Sequence, residues 1–376
     1  MNITQVDIRS VELPTKGGRF RRGGNYYAPN NVTTLVEVHT DVGLTGLGEH
    51  CPIGTHYGSG WHGAALDGCA EIARLSLGED PLQPERLNRK WDRLFASDHY
   101  AKSAIDMALW DIISQHAVRP VSNMLGGTYP DAVPLYRSIH VFENEGSTHE
   151  TYVSQCKDYR SAGYRNFQLK CGETADIEIK RIEAICDELQ SNEELICDAN
   201  GTWPLATATR ICQASRDAPI ILEQPCAKLE DCAALRRLSP LRMKLDESVK
   251  SSVDLVRTWQ TVGMDAVSIR VGRVGGLTKA RRMRELAIDL GISVVADDLW
   301  GAEIVSASLA HFAQSTDRKF LLNSTDLTDY VTQSVAAGFP DGIGGTLRAV
   351  SEPGLGLSLT DDIRNLPAET ISEAQS

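Results

Sequence analysis

The chain has 376 residues, with 38 Lys and Arg against 50 Asp and Glu, a formal net charge of -12. That length exceeds what one hydrophobic core ordinarily serves and points to a large domain joined to a smaller one. A negative balance without a long Lys/Arg run argues against a nucleic-acid backbone or an anionic membrane surface as partner, and leaves a small ligand.

The nine cysteines (51, 69, 156, 171, 186, 197, 212, 226 and 232) are odd in number, scattered and free of any Cys-x-x-Cys pair. A disulfide framework or zinc knuckle is therefore not expected, and a reducing cytoplasm is. The first residues lack the basic start and apolar stretch of a leader, and no run approaches a membrane-spanning length.

In chain order, apolar β-rich runs at 6–13, 33–38 and 43–49 predict an antiparallel start, the last two joined at Asp41-Val42-Gly43 as a hairpin. Segments 17–27 and 51–58 mix glycine with Arg, Tyr and His. They suit loops over a pocket, and equally suit ordinary surface loops. Residues 100–116 place Ile105, Ala108, Leu109 and Ile112 at three-and-four spacing, which predicts an amphipathic helix with one buried stripe and Asp106 and Asp111 as structural charges.

From about Val133 a strand-then-helix rhythm sets in, with apolar runs at 133–140, 166–171, 194–199, 219–223, 243–246, 266–271, 293–297 and 320–324. Such a rhythm is what a closed parallel barrel requires. The glycine-rich segment 338–356 reads as a return to the first domain, followed by a loose tail.

Three of these runs end in a carboxylate: Asp198 in Leu195-Ile196-Cys197-Asp198, Glu223 in Ile220-Ile221-Leu222-Glu223, and Asp246 in Met243-Lys244-Leu245-Asp246. Their intervals, about 25 and then about 23 residues, match one βα unit, so the acids should share the rim where barrels carry their chemistry. Clustered anions repel, and oxygen donors suit a hard divalent cation, most plausibly Mg²⁺. Any one of them alone is more often a helix cap or a surface charge; three in register point to a metal.

Lys170 occupies the same rim position on the second run. A lysine beside a metal and another cation should lose its proton toward neutral pH and act as a base; the plain alternative is an ion-pair partner for the acids. Arg270, on the sixth run, stays protonated and suits clamping a carboxylate or stabilising an enolate. Arg273 is expected to hold a loop or the barrel edge. Asp298 reads as an ammonium anchor, an acid/base or a helix cap. With Tyr26, His56, Tyr57 and Trp300 it makes a candidate substrate lining, although such aromatics are often packing.

Read together, Ala101-Lys102-Ser103-Ala104-Ile105-Asp106-Met107-Ala108-Leu109-Trp110-Asp111, Leu125-Gly126-Gly127, Lys170, Asp-x-Asn at 198–200, Glu-x-Pro at 223–225, Asp-Glu-Ser at 246–248 and Gly-Gly at 275–276 resemble the mandelate racemase and muconate lactonizing enzyme branch of the enolase superfamily. The pieces run in family order across nearly the whole chain. The resemblance implies a modified TIM barrel, (β/α)₇β, at 129–344, and an α+β capping domain at 1–128 completed by about 345–376.

It also implies Mg²⁺ on Asp198, Glu223 and Asp246, with Gln168, Asn200 and Glu247 supporting the ligands. The implied chemistry is removal of the proton next to a carboxylate through an enediolate, with Lys170 and Arg270 as catalytic residues. Glu49-His50-Cys51-Pro52-Ile53-Gly54, Asp80-Pro81-Leu82-Gln83-Pro84, Leu222-Glu223-Gln224-Pro225-Cys226 and Asp297-Asp298-Leu299-Trp300 are similar to the proline-derivative group, which includes hydroxyproline betaine epimerases and 3-hydroxyproline dehydratases.

Two departures stand out: Gln168 replaces the first lysine of the usual Lys-x-Lys, and Arg270 replaces the lysine usual opposite Lys170. Loss of that second proton carrier favours β-elimination of water from a hydroxyproline-like acid. Epimerisation, a sugar-acid dehydratase and a non-catalytic metal-binding descendant are the competing expectations, and a symmetric homo-oligomer is expected.

Overall fold

A computed structural model of the chain describes residues 1–18, 21–22, 26–27, 31–54, 61–96, 98–140 and 148–372, the pairs 21–22 and 26–27 by backbone alone. Strands Ile3–Leu13, Asn31–Thr40 and Thr45–His50 form an antiparallel sheet, and the C-terminal strand Glu369–Ser372 adds to its edge beside Ile3–Leu13. The chain end therefore returns to the first sheet as expected, but residues up to Ser372 are paired in it and do not form a loose tail.

Helices His62–Ser76 and His99–His116 cover this sheet, and Pro84–Leu94 packs on those helices. The helix His99–His116 departs from its one-stripe pattern, because every residue from Tyr100 to Ile112 is buried. Its polar positions find partners far along the chain. Asp106 accepts from the Thr278 amide and hydroxyl and from Asn88, and Asp111 accepts from the Leu47 and Leu355 amides. Buried carboxylates need such donors, and local periodicity contains none of them.

The second layer is a parallel sheet of eight strands: Tyr136–Ile139, Asn166–Lys170, Glu194–Asp198, Ile220–Glu223, Arg242–Leu245, Ala266–Arg270, Ser293–Asp297 and Leu321–Ser324. A bridge from Leu135 to Ser324 joins the first strand region to the eighth and closes the barrel. Helices follow the first seven strands, and only a 3-10 turn, Leu327–Tyr330, follows the eighth, which is the (β/α)₇β order. The strands are almost continuously buried, as expected when helices cover one face and side chains fill the interior. Among the described residues no helix is long and apolar enough to cross a membrane.

Candidate active site

Parallel register sets the rim. Lys170 lies level with Asp198, Asp198 with Glu223, and Glu223 with Lys244. Side chains alternate along a strand, so Lys244 and Asp246 share the inward face. Asp198, Glu223 and Asp246 thus stand at three successive strand ends, all fully buried.

Each carboxylate is met by a cation. Lys170 Nζ donates to Asp198 Oδ2 at 2.6 Å, and Lys244 Nζ lies 2.9 Å from Glu223 Oε1. Gln168 Nε2 donates to the other Glu223 oxygen at 2.8 Å. Arg270 donates to Asp246 through Nε at 2.8 Å and Nη2 at 2.6 Å, and Arg273 Nη1 reaches the same carboxylate at 2.6 Å. Arg270 also approaches Asp297 at 3.3 Å and donates to the Asp298 carbonyl.

Arg273 holds the barrel edge through the Asp246 carbonyl at 2.9 Å and, beyond that expectation, pairs directly with the Asp246 carboxylate. One expectation is revised. Lys170 is not depressed in this arrangement. Burial lowers its pKa, but the charges of Asp198 and Glu223 and the hydrogen bond to Asp198 overcome that and hold it above the ordinary lysine value, with Arg270 opposing.

Glu223 is pushed up to about 7, first by burial and then by Asp198 and Asp246, against Lys244 and Lys170. Burial pushes Asp246 up too, but Arg270 and Arg273 more than offset it and hold this carboxyl well below the usual range.

Behind the rim, Asn200 donates to Asp198 from its backbone N–H and from Nδ2, which also reaches Glu247 Oε1 at 3.0 Å. Gln224, which sequence reasoning passed over, accepts the Asp246 and Ser248 amides on Oε1 and so fixes the turn that presents Asp246. Asn200 and Gln224 both sit at positive φ, 46° and 34°. Such backbone persists where surrounding bonds hold it, and here those bonds are the ones orienting the acids.

Above the rim is a cavity of about 550 Å³, counting the solvent at its mouth. Lys170, Gln168, Asn200, Arg270, Asp298 and Trp300 line it, with Ile53, Tyr136, Ser138, Leu299, Thr325, Leu327 and Tyr330, none of which the sequence reading had singled out. Period two along the first barrel strand puts Tyr136 and Ser138 on one face and was the available signal. Trp300 packs against Tyr330 with ring centroids 5.7 Å apart, and the Tyr136 hydroxyl donates to Asp297 at 3.2 Å.

Asp298 faces the cavity, but Gly272 N and Leu299 N donate to its two oxygens, as in a cap. Burial pushes it up to about 6. His56, Tyr57 and the side chain of Tyr26 lie outside the described residues.

Among the described residues, the three donors gathered within 4.8 Å of one another are Asp7, Glu37 and His39, on the antiparallel sheet rather than the rim. There His39 bonds Asp7 and Thr45, and Arg9 pairs with Glu37, a network that ties strands together. The rim acids are not drawn to that spacing because each is turned toward its own cation. Their fit to a hard divalent ion rests on chemistry: three oxygen donors, fully buried, whose mutual repulsion is visible at Glu223.

Residues 29–126 match the family described as mandelate racemase / muconate lactonizing enzyme, N-terminal domain, and residues 151–363 match the enolase C-terminal domain-like family. A cis-3-hydroxy-L-proline dehydratase from Roseibium aggregatum is 34% identical over 99% of this chain and 100% of its own. An N-succinyl-L-Arg/Lys racemase from Bacillus cereus is 24% identical over 96% of each. The solved structure of a member of the enolase superfamily from Roseovarius nubinhibens ISM complexed with magnesium superposes with a TM-score of 0.91 at 29% identity, covering 99% of both chains.

Proposed function

The chain belongs to the mandelate racemase and muconate lactonizing enzyme family of the enolase superfamily, and from that premise we propose that it eliminates water from a 3-hydroxyproline-like cyclic amino acid, with Mg²⁺ held by Asp198, Glu223 and Asp246. The observation that carries this reading is the asymmetry of the cavity. Lys170 presents a proton-exchanging amine from the second strand, whereas the sixth strand presents Arg270, tied to Asp246 and the Asp298 carbonyl. A guanidinium does not exchange protons at ordinary pH.

When bound, a divalent cation supplies the positive charge that offsets the three carboxylates and steadies negative charge developing on a substrate carboxylate. With those carboxylates offset, what remains around Lys170 is burial and Arg270, and both favour the neutral amine. Lys170 Nζ takes the α-proton, the electron pair forms the Cα–Cβ double bond, and the Cβ–O bond breaks. The departing oxygen leaves as water, protonated by Nζ where the hydroxyl shares the face of the α-hydrogen and by a donor on the opposite face where it does not, and the enamine tautomerises to a cyclic imine.

The rest of the site positions the substrate. Gln168, Tyr136 and Ser138 give the cavity polar lining, and Leu299, Trp300, Leu327 and Tyr330 give it apolar and aromatic lining against which a cyclic substrate would pack. The relative's printed name, a cis-3-hydroxy-L-proline dehydratase, supports the substrate class; in that isomer the hydroxyl lies opposite the α-hydrogen, so a group other than Lys170 would protonate it.

The test is incubation with Mg²⁺ and each 3-hydroxyproline isomer in D₂O. Formation of a dehydrated cyclic imine is expected; recovery of only deuterated, inverted amino acid makes the protein an epimerase instead. A hydroxyl on the same face as the α-hydrogen suits Lys170 acting alone, so the isomer consumed also reports which face supplies the acid.

A further inference from the structure

We propose that Glu49 is a positioning residue for substrate binding: from the antiparallel sheet it caps the barrel helix Glu303–Gln314 and thereby sets the apolar wall of the cavity. Glu49 is fully buried at the end of strand Thr45–His50. Its Oε1 accepts from the Ala302 amide at 2.8 Å and the Thr33 hydroxyl at 2.9 Å, and its Oε2 accepts from the Val305 amide at 3.0 Å.

The first N–H groups of a helix have no partner within it, and this helix has no cap of its own, since Ala302 at its start offers no side-chain bond. A carboxylate there also meets the positive end of the helix dipole. Glu49 thus does for a helix far along the chain what an Asp or Ser does for its own.

The consequence for the site follows from what adjoins each end of this contact. Ile53, just beyond Glu49, lines the cavity, as do Leu299 and Trp300, just before Ala302. In the same helical turn Ser306 Oγ accepts from the amide of Leu327, another lining residue. One carboxylate therefore fixes the cavity's wall from both sides, although it touches neither the cavity nor the rim acids. Burial pushes Glu49 up to about 7, with the hydrogen bonds from Val305, Thr33 and Ala302 opposing and the charge of Glu303 adding to it.

The kinetic arm rests on the proposed dehydration; the exchange arm does not. In the full-length protein, Glu49→Ala should speed amide hydrogen exchange in a peptide covering 298–306 by about tenfold, because a capped turn becomes a frayed one. It should raise KM for 3-hydroxyproline by about tenfold while kcat falls less than about threefold, the signature of lost uniform binding. Glu49→Gln, which keeps an acceptor oxygen, should recover most of both, and it carries the test if the alanine variant does not fold.

Ser251→Ala removes the cap of another barrel helix, where Ser251 accepts from the Asp254 amide, and should lower thermal stability without moving KM or exchange at 298–306. Wild-type exchange at 298–306 in Glu49→Ala overturns the proposal, as does a KM rise matched by Ser251→Ala. Failure to turn over any isomer refutes the dehydration and leaves the exchange result to decide the capping.

Discussion

Replacing Lys244 with Met tests the charge balance of the rim most directly. Lys244 is completely buried, with Nζ 2.9 Å from Glu223 Oε1 and 6.0 Å from the Tyr136 ring centroid. Methionine fills much the same volume and removes the charge. Glu223 then keeps Gln168 at 2.8 Å and a long contact from Ser268 at 3.5 Å. Breaking a buried ion pair on one side costs about 3–5 kcal/mol when the remaining charge stays charged.

Glu223 has an escape, since burial and its neighbours already raise it to about 7 and loss of Lys244 raises it further. Below about pH 7 the carboxyl is protonated in both folded proteins and the two differ little. Above that, the wild-type native state releases the proton while the variant retains it. The variant therefore loses about 1.4 kcal/mol per pH unit relative to wild type until its own higher pKa is passed.

Urea midpoints in EDTA at pH 6, 7.5 and 8.5 should show a gap that widens with pH, and added MgCl₂ should narrow it by restoring positive charge beside Glu223. A gap that is constant, or that widens on acidification, refutes the pairing. A gap insensitive to magnesium removes Glu223 from the metal site.

Lys170→Ala should cut turnover by at least about 100-fold, the usual worth of a positioned base, and calorimetric Mg²⁺ titration should show binding retained. Arg270→Lys keeps the charge on Asp246 but replaces the forked contact with a single amine that exchanges protons, so α-deuterium should appear in recovered substrate from the face opposite Lys170. Absence of such exchange in a folded variant shows that Arg270 is not what separates elimination from epimerisation.

His311 is buried, accepts from the Ser122 amide on Nδ1, and is pushed by burial from 6.5 down to about 4. Its contribution is complete above pH 6.5 and is lost as pH falls toward 4, about 3 kcal/mol in all. Urea unfolding of wild type and His311→Gln should therefore converge by that amount between pH 7 and pH 4; a pH-independent difference refutes the assignment.

The barrel and the places of Asp198, Glu223, Asp246, Lys170 and Arg270 were legible because each ends an apolar run and the runs repeat at the βα interval. What stayed hidden has one physical character: its partners are remote. Gln224 reads as a turn residue until the fifth strand end is laid beside it. Glu49 reads as the polar end of a strand, and its meaning lies in a helix on another domain. Lys244 was closer to reach, because period two places it on the face of Asp246, but a lysine inside an apolar run has no evident role until Glu223 stands level with it.

Those remote partners change what the rim is. Asp198, Glu223, Asp246 and Asp297 are ion-paired with Lys170, Lys244, Arg270 and Arg273, as many cations as acids. Within these pairs the charges balance, each acid being turned toward its own cation. A divalent ion would add two positive charges to them. A substrate carboxylate offsets one, and release of the Lys170 proton offsets the other. Metal binding should therefore strengthen both capture of an anionic substrate and loss of the Lys170 proton, while those two, which offset the same added charge, oppose each other. The coupling is measurable without turnover: the affinity for a carboxylate that has no α-hydrogen should rise with Mg²⁺, and Mg²⁺ binding should release a proton that Lys170→Ala does not. Proton release unchanged in that variant assigns the proton to another group and separates the base from the metal.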